Sequence, residues 1–283
     1  MSLDSLEDAY LQFSNHDAFE FHLNLADLGI KFLVDQSVQR LPISWGHYLG
    51  HSAKERIRVE WMQVDKFESS YTQPQVRKID GIYFQQRDFV CKYTSENVIR
   101  LWTQSGSMDG IFNFTRWLLP RLLEGKRGFI LHSSAVAVDD ENVVIGLGAS
   151  GAGKSTFARL SEREILNDDM NLVRIDGEDI LVDVLPLGSS ESINESTRRP
   201  KSFRLKKLFW LQKNNVTEIK RQAPAAQLFQ LVQSITNLSW GELEPEVIEE
   251  IYEFSRKVIS TVPVERLDFV KGKETWSHLQ QTI

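Results

Sequence analysis

The first hundred residues contain short apolar runs separated by polar turns, and their apolar positions recur with a period of two. Phe19–Leu25 shows this alternation, which is typical of half-buried strands. Asp80-Gly81, set between two apolar runs, predicts a tight hairpin turn. A second hairpin is predicted from Phe89–Tyr93 to Val98–Trp102. We therefore predict a β-rich N-terminal region over residues 1–105.

From residue 106 the pattern mixes helical and strand periods. Apolar residues at helical spacing from Ile111 to Leu123 predict a helix, and Phe129–Val138 then predicts a strand. After a polar turn, the apolar run Asn142–Leu147 predicts a second strand in hairpin spacing. Folds that alternate strand and helix would place a helix before that strand. The pattern therefore predicts a mixed-sheet α/β (α+β) domain over residues 106–283.

The rest of the chain continues in the same way. The remaining predicted elements are a hairpin from Asn171–Ile175 to Ile180–Val184, strands Leu205–Gln212 and Val264–Phe269, and helices at about Ala225–Leu238 and Glu246–Thr261. Between them, Gly188–Ser202 is polar, lacks periodicity and contains Arg198 and Arg199. A segment of this length without a pattern predicts a functional loop.

Composition narrows the class of protein. The 283 residues are 41% hydrophobic and 25% charged, as in soluble globular proteins. A formal net charge of −6 argues against a nucleic-acid-binding surface, which needs clustered Lys and Arg. No apolar run approaches the ~20 residues of a membrane span, and the N-terminus lacks a signal-peptide layout. The single cysteine, Cys91, forms no internal disulfide, so we expect a cytoplasmic protein without membrane partners.

A glycine-rich loop follows the strand Asn142–Leu147 and fits the phosphate-binding pattern G-x-x-x-x-G-K-[ST]. Its backbone N–H groups and the positive end of the next helix face a bound anion. Lys154 is expected to reach the β- and γ-phosphates of a nucleotide, and the Ser155 hydroxyl to bind Mg²⁺. The predicted nucleotide-binding residues are Gly148, Ala149, Ser150, Gly151, Ala152, Gly153, Lys154, Ser155 and Thr156.

Two adjacent aspartates, Asp168 and Asp169, follow a short apolar strand soon after the loop. A phosphoryl-transfer site needs an acidic residue near the metal and a group that takes the acceptor's proton. Adjacent residues of a strand point to opposite faces, so the pair could divide these tasks. An Asp-Asp turn between strands is the simpler interpretation of the pair alone. Its position one short helix after Lys154 favours the functional interpretation.

These features form an ordered series: Leu131-His132-Ser133-Ser134-Ala135-Val136, a hairpin, the phosphate loop, a short helix and Asn167-Asp168-Asp169. The series resembles the HPr kinase/phosphorylase catalytic domain and the HPr-kinase-related proteins, whose P-loop core is similar to phosphoenolpyruvate carboxykinase. The resemblance is clearest over about Gly128 to Leu187 and does not cover the first hundred residues. It implies a mixed-sheet P-loop kinase core behind the β-rich N-terminal region.

The resemblance also implies ligands and roles. ATP would be held by Lys154 and the loop amides, and Mg²⁺ by Ser155 and Asp168. Asp169 matches the family's proton acceptor from a substrate serine, and His132 matches a histidine between the acidic pair and the loop. The catalytic residues implied are therefore Asp169, Asp168, His132 and Lys154. Related kinases often assemble as oligomers, which leaves a homo-oligomer open.

Three functions stay open at this stage. The first is an ATP-dependent kinase that phosphorylates a serine-type hydroxyl of a protein or peptide. The second is a kinase of the same architecture that acts on a small-molecule hydroxyl. The third is a regulatory module that binds nucleotide without transfer, since Thr156 stands where HPr kinase has an acidic residue. Arg198 and Arg199 either add positive charge at the transferring phosphoryl group or belong to a solvated basic loop.

Overall fold

The computed structural model describes residues 6, 8, 10, 18–25, 28–50, 55–65, 75–78, 82–86, 88–123, 128–186, 200–236, 245–272 and 274–279. The chain divides into two compact units, Met1–Leu122 and Leu123–Ile283. Both units combine strands and helices. Among the residues described, no helix has the length and apolar character needed to cross a membrane.

The first unit is built on a seven-stranded sheet. Its strands are β1 (Phe19–Leu25), β2 (Leu28–Val34), β3 (Glu55–Val64), β4 (Gln75–Lys78), β5 (Ile82–Gln86), β6 (Phe89–Ser95) and β7 (Val98–Gln104), and its helices are a 3₁₀ turn (Ile43–Tyr48) and α1 (Asp109–Leu123). The strand order is β1-β2-β3-β7-β6-β5-β4. All seven strands lie within the region predicted to be β-rich, and β6 and β7 form the predicted antiparallel hairpin. The predicted turn at Asp80-Gly81 lies outside the described residues, although β4 and β5 pair antiparallel.

Helix α1 packs on this first sheet. The ring of Trp117 lies 6.1 Å from that of Phe89, and the ring of Phe114 lies 5.7 Å from it. The sequence pattern groups the helix with the second region, which it starts at residue 106. Helical spacing identifies the apolar face of a helix but not the sheet that this face covers. In the structure, Phe114 and Trp117 pack against aromatic residues of β6, which places the helix on the first sheet.

The second unit contains a nine-stranded mixed sheet. Its strands are β8 (Gly128–His132), β9 (Ser134–Ala137), β10 (Asn142–Leu147), β11 (Ile165–Asn167), β12 (Met170–Asp176), β13 (Asp179–Asp183), β14 (Ser202–Lys213), β15 (Glu218–Lys220) and β16 (Val264–Phe269). The main order is β11-β9-β10-β14-β13-β12-β8, and β16 joins β14 to β15. β14 is parallel to β10 and to β16, whereas the other pairs are antiparallel. The predicted mixed sheet is confirmed.

Four helices cover the two faces of this sheet: α2 (Lys154–Leu160), α3 (Pro224–Ser234), α4 (Pro245–Thr261) and α5 (Glu274–Leu279). Alternate residues of β10 face opposite sides. Val143 and Ile145 join a core cluster with residues of α3 and α4. Val144 joins a second cluster with residues of α2 and α5. Because both faces are buried, β10 has a nearly continuous apolar sequence rather than an alternating one.

The predicted single strand over Phe129–Val138 is wrong, because the chain forms two strands that meet at Ser133. The Ser133 amide donates to the Asp169 carbonyl at 2.9 Å, so Ser133 is not part of either strand's pairing. Strand β8 then pairs with β12, while β9 pairs with β10 and β11. In the register of β8 and β12, His132 at the end of β8 is opposite Met170, which places it next to Asp169.

One buried tryptophan anchors the helix that follows the glycine-rich loop. Trp276 Nε1 donates to the Phe157 carbonyl at 2.7 Å, and the two rings lie 4.8 Å apart. The usual helical donor to that carbonyl is absent, because the Ser161 amide bonds to Ala158 instead. Trp276 thus supplies a donor to a carbonyl at the end of α2 that does not receive the Ser161 amide.

We predict that Trp276→Phe lowers the free energy of unfolding by about 1–3 kcal/mol, the cost of leaving a buried carbonyl unpaired. Urea denaturation measures the change. Trp210→Phe, a partly buried tryptophan packed against the core cluster of the other face, is the control for loss of an indole. Equal effects of the two substitutions would show that the hydrogen bond to Phe157 contributes nothing of its own.

Candidate functional site

The glycine-rich loop connects the end of β10 at Leu147 to the start of α2 at Lys154. Gly153 has a φ of +103°, a conformation that side chains rarely adopt. A Cβ atom there would lie 3.0 Å from the Phe269 ring and 3.2 Å from Lys213 Cε. Gly151, with a φ of +78°, has open space beside it. The glycines therefore let the loop turn tightly while it packs against the ends of β14 and β16.

Lys154 lies almost buried at the start of α2, with 7% of its surface exposed. Its Nζ donates to the carbonyls of Gly148 at 2.8 Å and Ala149 at 3.3 Å. Burial lowers the pKa of Lys154, and the negative charge of Asp169 partly opposes this effect. The ammonium group thus faces its own loop and lies within electrostatic reach of Asp169.

His132 and Asp169 meet beside the loop. His132 Nε2 lies 3.5 Å from Asp169 Oδ1, so the two side chains are close enough for an ion pair or a slightly long hydrogen bond. Burial and the charge of Lys154 lower the pKa of His132, whereas Asp169 raises it. The structure therefore brings together three of the predicted catalytic residues, Lys154, His132 and Asp169.

The charges around His132 make a prediction that needs no substrate. We expect its imidazole to titrate below 6.5, the ordinary histidine pKa, when followed by NMR. Lys154→Met removes a positive charge and should raise the midpoint, while Asp169→Asn removes a negative charge and should lower it. Asp140→Asn, in the exposed turn between β9 and β10, should leave it unchanged.

The same shift predicts a pH dependence of stability. Because the folded protein disfavours the charged imidazole, the contribution of His132 to the free energy of unfolding is complete above pH 6.5 and is lost as pH falls toward the lower folded pKa.

The NMR titration also has an outcome that contradicts the proposed cluster. If neither Lys154→Met nor Asp169→Asn moves the midpoint of His132, the three side chains do not lie together in solution.

The two aspartates lie in a bend rather than in a strand, because β11 ends at Asn167 and β12 begins at Met170. The expectation that they alternate across a strand is therefore wrong. Asp168 Oδ1 is buried and has no hydrogen-bond partner in the described part of the chain. A carboxylate oxygen left without a donor fits Mg²⁺, which prefers oxygen ligands. Ser155, the other predicted metal ligand, is the second residue of α2.

No group of three or more His, Cys, Asp or Glu side chains among the described residues is arranged to hold a metal ion. Nucleotide-bound Mg²⁺ takes one or two protein ligands, keeps several waters and uses the phosphate oxygens of the substrate. Of the two predicted ligands, Ser155 lies in the first turn of α2 and Asp168 in the bend between β11 and β12.

Buried amide side chains fix the aspartate bend, and sequence reasoning missed their role. Asn167 Oδ1 accepts from the Asp169 amide at 3.0 Å and from the Met170 amide at 3.3 Å. Asn171 Nδ2 donates to the carbonyl and to the hydroxyl of Ser133, each at 2.9 Å. The sequence does contain a signal for this role, because Asn167 and Asn171 are amide residues beside apolar ones. A buried amide must be hydrogen-bonded, so such a residue indicates a structural contact.

The other predicted nucleotide-binding residues lie in the loop or at the start of α2. Ala149, Ser150 and Ala152 lie in the loop, where the Ala152 amide donates to the Ala149 carbonyl at 3.0 Å, and Thr156 lies in α2. Arg198 and Arg199 lie outside the described residues. A cavity of about 570 Å³ lies at the opposite end of β12 from Met170, and its lining includes Ile175 and Phe254.

No protein-family model matches the chain, and no curated protein matches its sequence. The assignment of the site therefore rests on its own residues. Its defining features are the glycine-rich loop with Lys154, the His132–Asp169 contact and the Asp168 oxygen, which has no hydrogen-bond partner among the described residues.

Proposed function

We propose that the protein is an ATP-dependent kinase that transfers the γ-phosphoryl group to a serine-type hydroxyl of a protein or peptide. The observation that carries this proposal is the convergence of Asp169 with His132 and Lys154 beside the loop. A phosphate loop by itself accounts for binding. A carboxylate next to the loop lysine adds a group that can take the proton of an attacking hydroxyl.

The proposal assigns a role to each residue of the site. The loop amides and Lys154 bind the phosphates, and Lys154 exchanges the carbonyls of Gly148 and Ala149 for phosphate oxygens. Asp169 orients the acceptor hydroxyl and takes its proton. His132, whose pKa lies below its usual value, is mainly neutral at pH 7 and positions the Asp169 carboxylate. Ser155 and Asp168 would hold Mg²⁺, which would neutralise charge on the transferring group.

Exposure of the proposed catalytic pair favours a macromolecular acceptor. His132 exposes 46% of its side chain and Asp169 exposes 22%. A serine on the surface of another protein can therefore approach the carboxylate. A small-molecule acceptor and a module that binds nucleotide without transfer are the alternatives that the experiment must separate.

The test is an acceptor screen with γ-labelled ATP and Mg²⁺. One arm contains serine peptides and proteins, and the other contains small hydroxyl compounds. Label transferred to peptide or protein serine supports the proposal, and label on a small molecule supports the second function. Nucleotide binding without transfer in either arm would support the regulatory module.

A further inference from the structure

Strand β14 extends beyond its parallel neighbour β10 at the edge where the glycine-rich loop lies. In the register of the pair, Leu147 at the end of β10 is opposite Trp210, and β14 continues to Lys213. Ligands of sheets with parallel strands bind outside the carboxyl ends of those strands. The overhang therefore carries Lys213 to the edge where the phosphate loop begins.

Lys213 contacts the loop directly. Its Nζ donates to the Gly151 carbonyl at 2.6 Å. Its Cε lies 3.2 Å from the position that a Cβ atom of Gly153 would take. Apart from its chain neighbours, no atom of the described residues lies within 4 Å of the corresponding position at Gly151, so this part of the structure leaves open space beside the loop. The flexible stem of Lys213 lets its ammonium group turn toward that space.

Lys213 contacts a carbonyl oxygen, whereas two other lysines of this sheet pair with carboxylates. Lys207 pairs with Glu265 at 2.9 Å, and Lys220 pairs with Asp268 at 2.8 Å. Within the described residues, Lys213 has only the Gly151 carbonyl as a partner. A carbonyl dipole offsets part of a full positive charge, so the loop carries excess positive charge from both Lys213 and Lys154.

We infer that Lys213 is a second phosphate-binding lysine, which holds the Gly151 carbonyl in the free protein and bonds to phosphate oxygens of the bound nucleotide. The inference rests on the proposed function, because it assigns a further residue to the same site. Lys154 comes from the start of α2 and Lys213 from the end of β14, so the two ammonium groups approach the phosphate chain from different elements.

The test compares dissociation constants for Mg-ATP and for pyrophosphate. We expect Lys213→Met to weaken both about 10-fold, the usual loss for a hydrogen bond to a charged group. Lys213→Arg keeps the charge and should stay within about 3-fold of the wild type. Lys206→Met is the matched control, since Lys206 is exposed on the same strand near the opposite edge of the sheet.

The outcomes separate this inference from the proposed function. Equal affinities of the wild type and Lys213→Met would overturn the role of Lys213 and leave the nucleotide site intact. Lys213→Gln keeps a hydrogen-bond donor without the charge. Full affinity of this variant would also overturn the inference, because Lys213 would then only hold the loop through the Gly151 carbonyl. If the wild type binds neither probe, the proposed function fails and Lys213 loses its role with it. Melting temperatures of all variants check that the fold is retained.

Discussion

Asp169→Asn is expected to lower the rate of phosphoryl transfer by about 10²–10⁴-fold, the usual contribution of general acid–base catalysis. The asparagine has nearly the same shape but cannot take a proton. The backbone contacts that place the residue, from the Asp169 amide to Asn167 and from the Ser133 amide to the Asp169 carbonyl, do not involve the substituted group. The dissociation constant of Mg-ATP should therefore change little.

Single-turnover transfer to the acceptor found by screening measures this effect, and calorimetry measures the affinity for Mg-ATP. Asp140→Asn is the matched control, because Asp140 is an exposed aspartate in the turn at the far end of β10. Full transfer by Asp169→Asn with normal binding would contradict the assignment of Asp169 as the proton acceptor. Loss of both binding and transfer would instead assign Asp169 to nucleotide binding.

Lys154→Met is expected to reduce transfer by at least about 10³-fold, because positioning and charge stabilisation supply most of the catalysis in phosphoryl transfer. The substitution should also weaken Mg-ATP binding. Lys154→Arg should not restore activity, since a planar guanidinium cannot reproduce an ammonium enclosed by the Gly148 and Ala149 carbonyls.

Lys154→Met should not lower the stability of the fold, although it lowers transfer and nucleotide binding. Because burial lowers the pKa of Lys154, the folded protein disfavours the charged form at neutral pH. We therefore expect urea denaturation to find this variant as stable as the wild type, or more stable. Lys257→Met, which removes a lysine paired with Glu178 far from the loop, is the control for activity. Unfolding of Lys154→Met would show that the residue supports the fold rather than the ligand.

Sequence patterns predicted the central strands well where burial is simple. The structure gives β10 and β16 the predicted bounds, Asn142–Leu147 and Val264–Phe269. β10 is a nearly continuous apolar run and β16 alternates apolar with polar residues, so in each case local sequence and tertiary packing favour the same element. The glycine-rich loop and the short helix α2 follow from a motif whose backbone requirements are local.

Elements that depend on distant partners were harder to predict. The predicted helix Ala225–Leu238 already ends at Ser234, because the Thr236 amide donates to the Ile130 carbonyl and Ile235 bridges to β8. The three-residue strand β15 exists only through its pairing with β16. Period and propensity within a segment contain no information about such partners.

The same distinction applies to the candidate site. The motif identified Lys154 and the loop, but the location of His132 beside Asp169 was expected only from the resemblance to HPr kinase. The pairing of His132 with Met170 and the Ser133–Asp169 hydrogen bond produce that proximity. Lys213 gave no sequence signal, since it reaches the loop only because β14 is parallel to β10 and longer.

Calorimetric titration of Mg-ATP into the wild-type protein is the direct test of the proposed nucleotide site. It should be run at two temperatures, since a binding enthalpy can vanish at one of them. We expect micromolar binding that requires Mg²⁺. Absence of binding at both temperatures would contradict the proposed kinase, and it would equally contradict a regulatory module that binds nucleotide.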